Sequence, residues 1–275
     1  MKLVNIFKNN LKFTTLDIAL MGMMMTIYLI IVWGLKQFLP GKFNISIEIL
    51  FFIIFGIIFG PIKGSIFSLL CDTVYQLILG SIAFWMIEYA IVPPLVSMVS
   101  WFLMYFYEKE NKFKFIFPVV ILALTIAGVI SFFVYQFINN SFKFENSIID
   151  PLVVFYLMIT LCIIILTSII VALILYKLKK DVIYIKFLYL FSVVAIILII
   201  FRWLWGPYAY VNFFNRFLSS ENNPDKVMSI QYPITLAGIA MKTTYVLPIF
   251  VIILIPSLSA ISISKKNYFV NRDNK

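Results

Sequence analysis

The chain has 275 residues, of which 63% are hydrophobic and only 12% are charged. A chain of this composition lacks the polar surface that a soluble globular protein needs, so we expect lipid rather than water to surround most of it. The formal net charge of +10 does not indicate a nucleic-acid partner, because the basic residues lie in short stretches between apolar segments and form no arginine-rich stripe.

Eight apolar segments predict an all-α integral membrane protein with about eight transmembrane helices, folded as a single transmembrane domain over residues 1–275. Their approximate bounds are 15–38, 45–60, 62–80, 82–107, 115–138, 151–177, 183–206 and 233–263. Most reach the roughly 20 apolar residues that a membrane-spanning helix needs. The second segment is only about 24 Å long as a helix, so we expect it to end within the protein rather than in lipid.

The distribution of lysine and arginine predicts the orientation of the chain. With the N-terminus inside and the segments alternating, fifteen of these residues fall on the inner side and five on the outer side. Such an excess of positive charge is typical of cytoplasmic loops, so we expect a multi-pass protein of the plasma membrane with both termini in the cytoplasm. Residues 1–12 run into the first segment without a small-residue cleavage site, so we expect the first helix to remain in the membrane.

The charged residues inside the apolar segments include Glu48, Asp72, Glu88, Arg202 and Lys242. A charge at this depth is costly unless it faces a partner or a polar cavity, which makes each of these residues a candidate for function. In the expected orientation, all five fall at mid-depth or in the outer half of the membrane. They therefore predict a polar cavity that opens to the outside and is closed beneath by apolar packing. The alternative is that these side chains reach outward to water or form structural ion pairs.

Aromatic residues gather near the expected outer boundary of the membrane. They are Trp85, Tyr89, Trp203, Trp205, Tyr208 and Tyr210. An interfacial belt of aromatic rings is one explanation. Trp203 and Trp205 also lie beside Arg202 in the sequence. A planar heterocycle held between rings, with its carboxylates bound by basic side chains, fits the same set of residues.

Composition excludes several other classes of chemistry. No histidine is present, which excludes histidine-ligated metal sites and nucleophilic systems that need histidine as a base. The two cysteines, Cys71 and Cys162, lie in different apolar segments, and we expect both to be small buried apolar residues. The sequence has no G-x-x-x-x-G-K-[ST] phosphate-binding loop, so any energy from ATP must come from another chain. We expect neither a metal nor a cofactor.

Three stretches of the sequence resemble one family of membrane proteins. They are Asp17-Ile18-Ala19-Leu20, then FGPIKGSIFSLLCDTVYQLILG from Phe59 to Gly80, and AGIAMKTTYVLPIFVIIL from Ala237 to Leu254. In the second stretch, Asp72 follows a Gly-Pro-x-x-Gly turn by eight residues. On these stretches the chain resembles the S components of energy-coupling factor (ECF) vitamin transporters, and it is nearest to the folate-type members. Each S component binds one vitamin and associates with a shared transmembrane subunit and two ATPase subunits.

The resemblance implies a six-helix bundle with both termini inside. The core spans of this bundle would lie within 15–107 and 183–263, and residues of about 113–180 would form an inserted helix pair. Such a pair preserves the topology, because its two crossings cancel. Helix one would present the docking face for the shared subunit at Ala19, Gly22 and Met23, although ordinary contact with lipid explains the neighbouring methionines equally well.

The resemblance also implies that the chain is not an enzyme but a transport subunit that captures a vitamin from outside and delivers it inward. The expected substrate-binding residues are Glu48, Asp72, Gln76, Trp85, Glu88, Arg202, Trp203, Lys242 and Tyr245. In this set the basic residues would neutralise ligand carboxylates or phosphate and the aromatic residues would stack on a ring, while Asp72, Gln76 and Glu88 would hydrogen-bond ring nitrogens. Folate or a related compound is the expected ligand, and riboflavin, pantothenate and other vitamins are the alternatives.

Two other classes of protein are compatible with the same residues. One is an intramembrane enzyme, such as a lipid-modifying transferase or a protease, that uses Glu48, Asp72 and Glu88 for acid–base chemistry or to bind Mg²⁺. Against this interpretation, no two of these acids are three or four residues apart, and no histidine assists them. The other class is a structural or assembly subunit without a ligand of its own.

Overall fold

The computed structural model describes residues 13–38, 46–108, 116–138, 151–179, 181–221 and 224–273. Within these ranges the structure is built from helices and contains no strand, so the prediction of an all-α protein is confirmed. The helices are α1 (Thr15–Phe38), α2 (Glu48–Phe59), α3 (Pro61–Ile78), a 3-10 helix (Ile82–Phe84), α4 (Ile87–Ala90), α5 (Val92–Glu108), α6 (Ile116–Ile138), α7 (Pro151–Lys179), α8 (Val182–Ile197), a π-helix (Leu198–Leu204), α9 (Trp205–Phe217) and α10 (Met228–Asp273).

Six helical stretches in the described ranges are long and apolar enough to cross a membrane, which indicates a multi-pass membrane protein. They are Thr15–Phe38, Ile87–Tyr107, Phe117–Gln136, Val153–Lys179, Ile183–Phe217 and Met228–Leu258. The second and third predicted segments are not among them, because α2 is short and α3, with 18 residues, contains Lys63, Asp72 and Gln76 among its apolar residues. With 12 residues, α2 is about 18 Å long, which is short of the roughly 30 Å hydrocarbon thickness.

A tight turn at Gly60 folds α2 back along α3. Gly60 has φ of 88°, a conformation that favours glycine because it has no Cβ, and Pro61 then opens α3 with a φ suited to the first helical position. Beyond the turn the two backbones lie very close, since a Cβ on Gly64 would be only 2.7 Å from the carbonyl oxygen of Phe55. The Phe55 and Phe67 rings pack across the same interface at a centroid distance of 4.6 Å. The Gly-Pro-x-x-Gly sequence thus produces an antiparallel helix pair.

A third helix, α5, packs against α2 equally closely. A Cβ added to Gly56 would overlap the backbone oxygen of Ser97. The Ser97 hydroxyl donates a hydrogen bond to the Phe52 carbonyl at 2.7 Å, and the Ser100 hydroxyl donates to the Ile53 carbonyl at 3.3 Å. These bonds satisfy both hydroxyls inside an apolar interface, where an unpaired polar group would be costly.

The helix α8 is buried at every residue from 188 to its end, and the burial continues through the first two residues of the π-helix. It packs against α5, α6, α7 and α10. The helices of the expected inserted pair, α6 and α7, therefore contact the rest of the bundle directly. One buried apolar cluster runs through both the expected core and this pair.

The first turn of α1 is attached to the first turn of α3 by an ion pair. Lys63 Nζ lies 2.6 Å from Asp17 Oδ2, and Lys63 is only 8% exposed. Asp17 also forms a reciprocal cap with Thr14, because each backbone N–H donates to the other's side-chain oxygen at 3.0 and 3.2 Å. We call this end of the bundle the Asp17 end, and the opposite end, where α1 stops and α2 begins, the Glu48 end.

We expect Gly56→Ala to destabilise the protein by about 1–3 kcal/mol, because the added methyl group forces α2 and α5 apart. Thermal unfolding of the detergent-purified protein measures the effect. Gly128→Ala is the matched control, since no atom lies within 4 Å of a Cβ at that helical position. An equal change in the melting temperature of the two variants would contradict the close approach of α2 and α5.

Candidate functional site

Charged side chains from three helices converge at the Glu48 end. Lys36, in the last turn of α1, places Nζ 3.0 Å from Oε1 of Glu48, in the first turn of α2. The same ammonium group lies 4.6 Å from the centroid of the Tyr75 ring on α3. A cation at a helix C-terminus and an anion at a helix N-terminus both complement the helix dipoles. Each of the two side chains is therefore stabilised by the opposite charge of the other and by the dipole of its own helix.

The antiparallel α2–α3 pair brings Asp72 to the level of Glu48. Each of the two residues is twelve positions from Gly60, one before it and one after it. Asp72 lies within electrostatic range of both Glu48 and Lys36. The tertiary fold thus unites two carboxylates that are 24 residues apart in the sequence.

Tyr28 of α1 lies beneath these charges. It is completely buried, and its hydroxyl has no hydrogen-bond partner among the residues that the structure describes. Its ring contacts the Tyr75 ring at a centroid distance of 6.1 Å, and its hydroxyl lies within electrostatic range of Glu48 and Asp72. The base of the charged region therefore contains an available buried hydroxyl.

A π-helix positions Arg202 on the other side of Glu48. In this stretch the backbone N–H of Trp205 donates to the carbonyl of Ile200, five residues earlier. The wider turn changes the direction in which the side chains project, and such turns are frequent at functional sites. Arg202 lies within electrostatic range of Glu48. Among the described residues it has no carboxylate within ion-pair distance.

Arg202 and Lys242 line one small cavity between the π-helix and α10. Its other lining residues are Ser46, Leu198, Ile239, Thr243 and Val246. The volume is about 10 Å³, which is roughly the space of one water molecule. Lys242, like Arg202, has no ion-pair partner in the described part of the chain. We call Lys36, Glu48, Asp72, Arg202 and Lys242 the charge cluster.

Trp203, expected to stack on a ligand, is fully buried in this structure. Its indole Nε1 donates a hydrogen bond to Thr243 Oγ1 at 2.8 Å, and the Thr243 hydroxyl donates in turn to the Ile239 carbonyl at 3.1 Å. Trp203 therefore ties the π-helix to α10 directly beside the cavity. In this conformation it supports the cavity wall and offers no free ring face.

The other expected site residues lie outside the cavity lining. Gln76 Oε1 accepts a hydrogen bond from the Ser81 hydroxyl. The Glu88 carbonyl accepts one from Trp205 Nε1 at 2.6 Å, and Glu88 Oε2 is buried without a partner in the described ranges. Trp85 is 44% exposed, and Tyr245 packs half-buried against the core.

Sequence reasoning missed four residues of this site, namely Tyr28, Lys36, Ser46 and Thr243. Lys36 was detectable, because it is a cation in the last turn of an apolar helix and Glu48 follows only twelve residues later. Tyr28 also carries a signal, as a hydroxyl in the middle of an apolar helix. Ser46 and Thr243 carry none, because their part in the cavity depends on how distant helices pack.

The residues expected to contact a partner subunit share one face of α1. Ala19, Gly22 and Met23 follow the helical spacing of three and four residues, and all three are exposed. A Cβ at Gly22 would meet no atom within 4 Å. This face is therefore free of contacts within the described part of the chain.

The charge cluster contains groups of both signs. Arg202 and Lys242 are available to neutralise an anionic group, and Glu48 and Asp72 can accept hydrogen bonds from donors. Among the described residues, no group of three or more Cys, Asp or Glu side chains is arranged to hold a metal ion. The arrangement is therefore suited to binding a polar molecule that carries both an anionic group and hydrogen-bond donors.

We expect Thr243→Val to destabilise the protein by about 1–3 kcal/mol, because it leaves the buried Trp203 N–H without an acceptor. Thr244→Val is the matched control. Thr244 is exposed, and its hydroxyl bonds only to the carbonyl of Met241 in its own helix. Thermal unfolding in detergent would contradict the role of Thr243 if the two variants melted at the same temperature.

Comparison with known proteins identifies no relative of the chain. No family model matches the chain, and no curated protein or solved structure matches it either. The function must therefore be argued from the residues of the charge cluster, from the fold that unites them and from the short stretches of sequence that resemble the S components.

Proposed function

We propose that this chain is the substrate-binding S component of an ECF-type importer, which captures a vitamin and delivers it inward with a shared transmembrane subunit and two ATPase subunits. One observation carries the proposal. Arg202 and Lys242 line the same cavity, and neither has an ion-pair partner among the described residues. Two cations held in an apolar bundle require an anion, and a ligand with carboxylates supplies it.

A folate-type compound is the proposed ligand. It combines carboxylates with a planar ring that carries nitrogen donors and acceptors. The guanidinium of Arg202 and the ammonium of Lys242 are suited to carboxylates, and Glu48 and Asp72 are suited to ring N–H groups. The choice of folate among vitamins rests on the resemblance of the Gly-Pro-x-x-Gly turn and Asp72 to folate-type members. Riboflavin and pantothenate are the alternatives within the same proposal.

Binding of a vitamin requires the cavity to widen. Its volume of about 10 Å³ is far below the roughly 300–1,000 Å³ of a typical ligand site. Both walls have irregular backbones that favour movement, because the π-helix forms one wall and α10 carries Pro233 and Pro248 on either side of Lys242. Each proline removes a helical hydrogen bond. We propose that this part of α10 moves away from the π-helix when the ligand enters.

The proposal also assigns an orientation to the molecule. The Glu48 end faces the outside, both termini lie in the cytoplasm, and the α2–α3 pair completes a topology of about eight crossings in the plasma membrane. The exposed face of α1 at Ala19, Gly22 and Met23 would then contact the shared transmembrane subunit. Small residues on this face allow a close helix–helix approach.

We expect Arg202→Ala and Lys242→Ala each to weaken vitamin binding by about 10- to 100-fold, because each removes one charge-assisted hydrogen bond to the ligand. Titration of the detergent-purified protein with folate, monitored by tryptophan fluorescence, measures the dissociation constant. Arg216→Ala is the matched control, since Arg216 is an exposed arginine on α9 outside the cavity. Unchanged affinity in both cavity variants would overturn the assignment of the pocket.

Native mass spectrometry of the purified wild-type chain tests the class of protein itself. We expect a co-purified or added vitamin to be retained with one-to-one stoichiometry. If no member of a panel containing folate, riboflavin and pantothenate binds the wild-type chain, the proposal fails. Co-purification is a second test of the class, because an S component brings down two ATPases through a membrane subunit, whereas a structural subunit brings down other partners.

A further inference from the structure

A second cavity lies far from the charge cluster, in a groove between the C-terminal half of α7, the start of α8 and the adjacent part of α10. Its walls include Val171, Ala172, Leu175, Tyr184, Phe187 and Ile255. The volume is about 660 Å³, which is within the range of ligand-binding sites. The groove is open along one side, so its occupant enters from the surroundings of the bundle.

The walls of this groove, which we call the α7–α8 groove, suit a hydrocarbon chain. Most of the lining is apolar, and two of its three hydroxyl groups have partners within α7. Thr167 Oγ1 and Ser168 Oγ both donate to the carbonyl of Ile164, at 3.0 and 2.8 Å. These two hydroxyls therefore do not serve as donors to a polar ligand, and the third belongs to Tyr184, beside Lys179. Because α7 and α8 both belong to stretches apolar enough to cross a membrane, the molecules nearest to the open side are lipids.

Positive charge lies at one end of the groove. The Lys179 ammonium group is 5.8 Å from the centroid of the Tyr184 ring, and Tyr184 is one of the lining residues. Lys177 and Lys179 are both exposed at the end of α7, and Lys180 and Lys186 follow closely in the sequence. The nearby acid, Asp181, is engaged as the cap of α8, where Oδ1 accepts a hydrogen bond from Ile183 N at 3.0 Å.

We propose that the α7–α8 groove binds an anionic phospholipid, with an acyl chain along the groove and the phosphate at Lys179. The apolar walls account for the chain, and Lys179, four residues after the lining residue Leu175 and on the same face of α7, accounts for the negative headgroup. Basic sites between membrane helices recognise anionic lipids by this combination of groups. The site is independent of the vitamin-binding proposal, because it shares no residue with the charge cluster.

Native mass spectrometry of the full chain tests the headgroup. The detergent-purified protein is incubated with equal amounts of phosphatidylglycerol and phosphatidylcholine that carry the same acyl chains. We expect the first lipid retained to be mainly phosphatidylglycerol, and we expect Lys179→Gln to reduce this preference by about fivefold. Lys177→Gln is the control, because Lys177 is also exposed at the end of α7 but lies on the face turned away from Leu175.

A second pair of variants tests the acyl chain. Val171→Trp adds a large ring to the groove wall, and Ile170→Trp adds the same ring at the neighbouring position, which does not line the groove. The two positions are matched, because Val171 is 53% exposed and Ile170 is 54% exposed. We expect only Val171→Trp to reduce the amount of retained phosphatidylglycerol, while thermal unfolding confirms that both variants are folded.

Three results would overturn the proposal. The first is equal retention of the two lipids by the wild-type chain. The second is an unchanged lipid preference in Lys179→Gln or an equal loss in Lys177→Gln. The third is equal lipid retention by Val171→Trp and Ile170→Trp, which would place the acyl chain elsewhere.

Discussion

The close contact of α2 with α3 and α5 determines where the charged residues of this protein lie. Gly56 and Gly64 let three backbones approach to distances that any side chain would prevent. The turn at Gly60 fixes the register of α2 against α3, and this register places Glu48 level with Asp72. Such packing is typical of membrane helices, which gain little from the hydrophobic effect and associate through close van der Waals contact. The positions of the charged side chains at the Glu48 end therefore depend on glycines near the turn that joins α2 to α3.

The helix α1 is attached to the bundle by an ion pair near each end and, between them, by Tyr28, whose ring packs against Phe55 and Tyr75. Asp17 pairs with Lys63 at one end, and Lys36 pairs with Glu48 at the other. Between these ion pairs most of the helix surface is exposed, and the buried part is a narrow stripe that includes Tyr28. The Asp17–Lys63 pair is largely shielded, since only 10% of the Lys63 side chain is exposed, and it gains strength from the low dielectric of its surroundings, whereas the Lys36 side chain is 42% exposed. An element held in this way leaves one face available to a partner or to lipid, as the proposed function requires.

The cavity between Arg202 and Lys242 is bounded by the two most irregular helices of the bundle. The π-helix follows the buried second half of α8, and α10 contains prolines within its length. Tyr232 compensates for part of this irregularity, because its hydroxyl donates to the carbonyl of Leu204 at 2.9 Å. Trp203 compensates for another part through its hydrogen bond to Thr243. The walls are thus irregular where the charges lie and firmly connected just beside them, which is the arrangement expected of a site that opens locally.

The sequence by itself determined the helical class, the positions of the apolar segments and the local signals within them. Apolar runs are readable because a membrane helix must satisfy its backbone internally, and the turn at Gly60 is readable because few residues other than glycine adopt its conformation. The tertiary structure alone decided that Ser46 and Thr243 line the same cavity as Arg202 and Lys242, and that Trp203 is buried against Thr243. These outcomes depend on contacts between residues far apart in the chain. The pattern of a single helix shows which residues share a face, but the packing of several helices decides which faces meet.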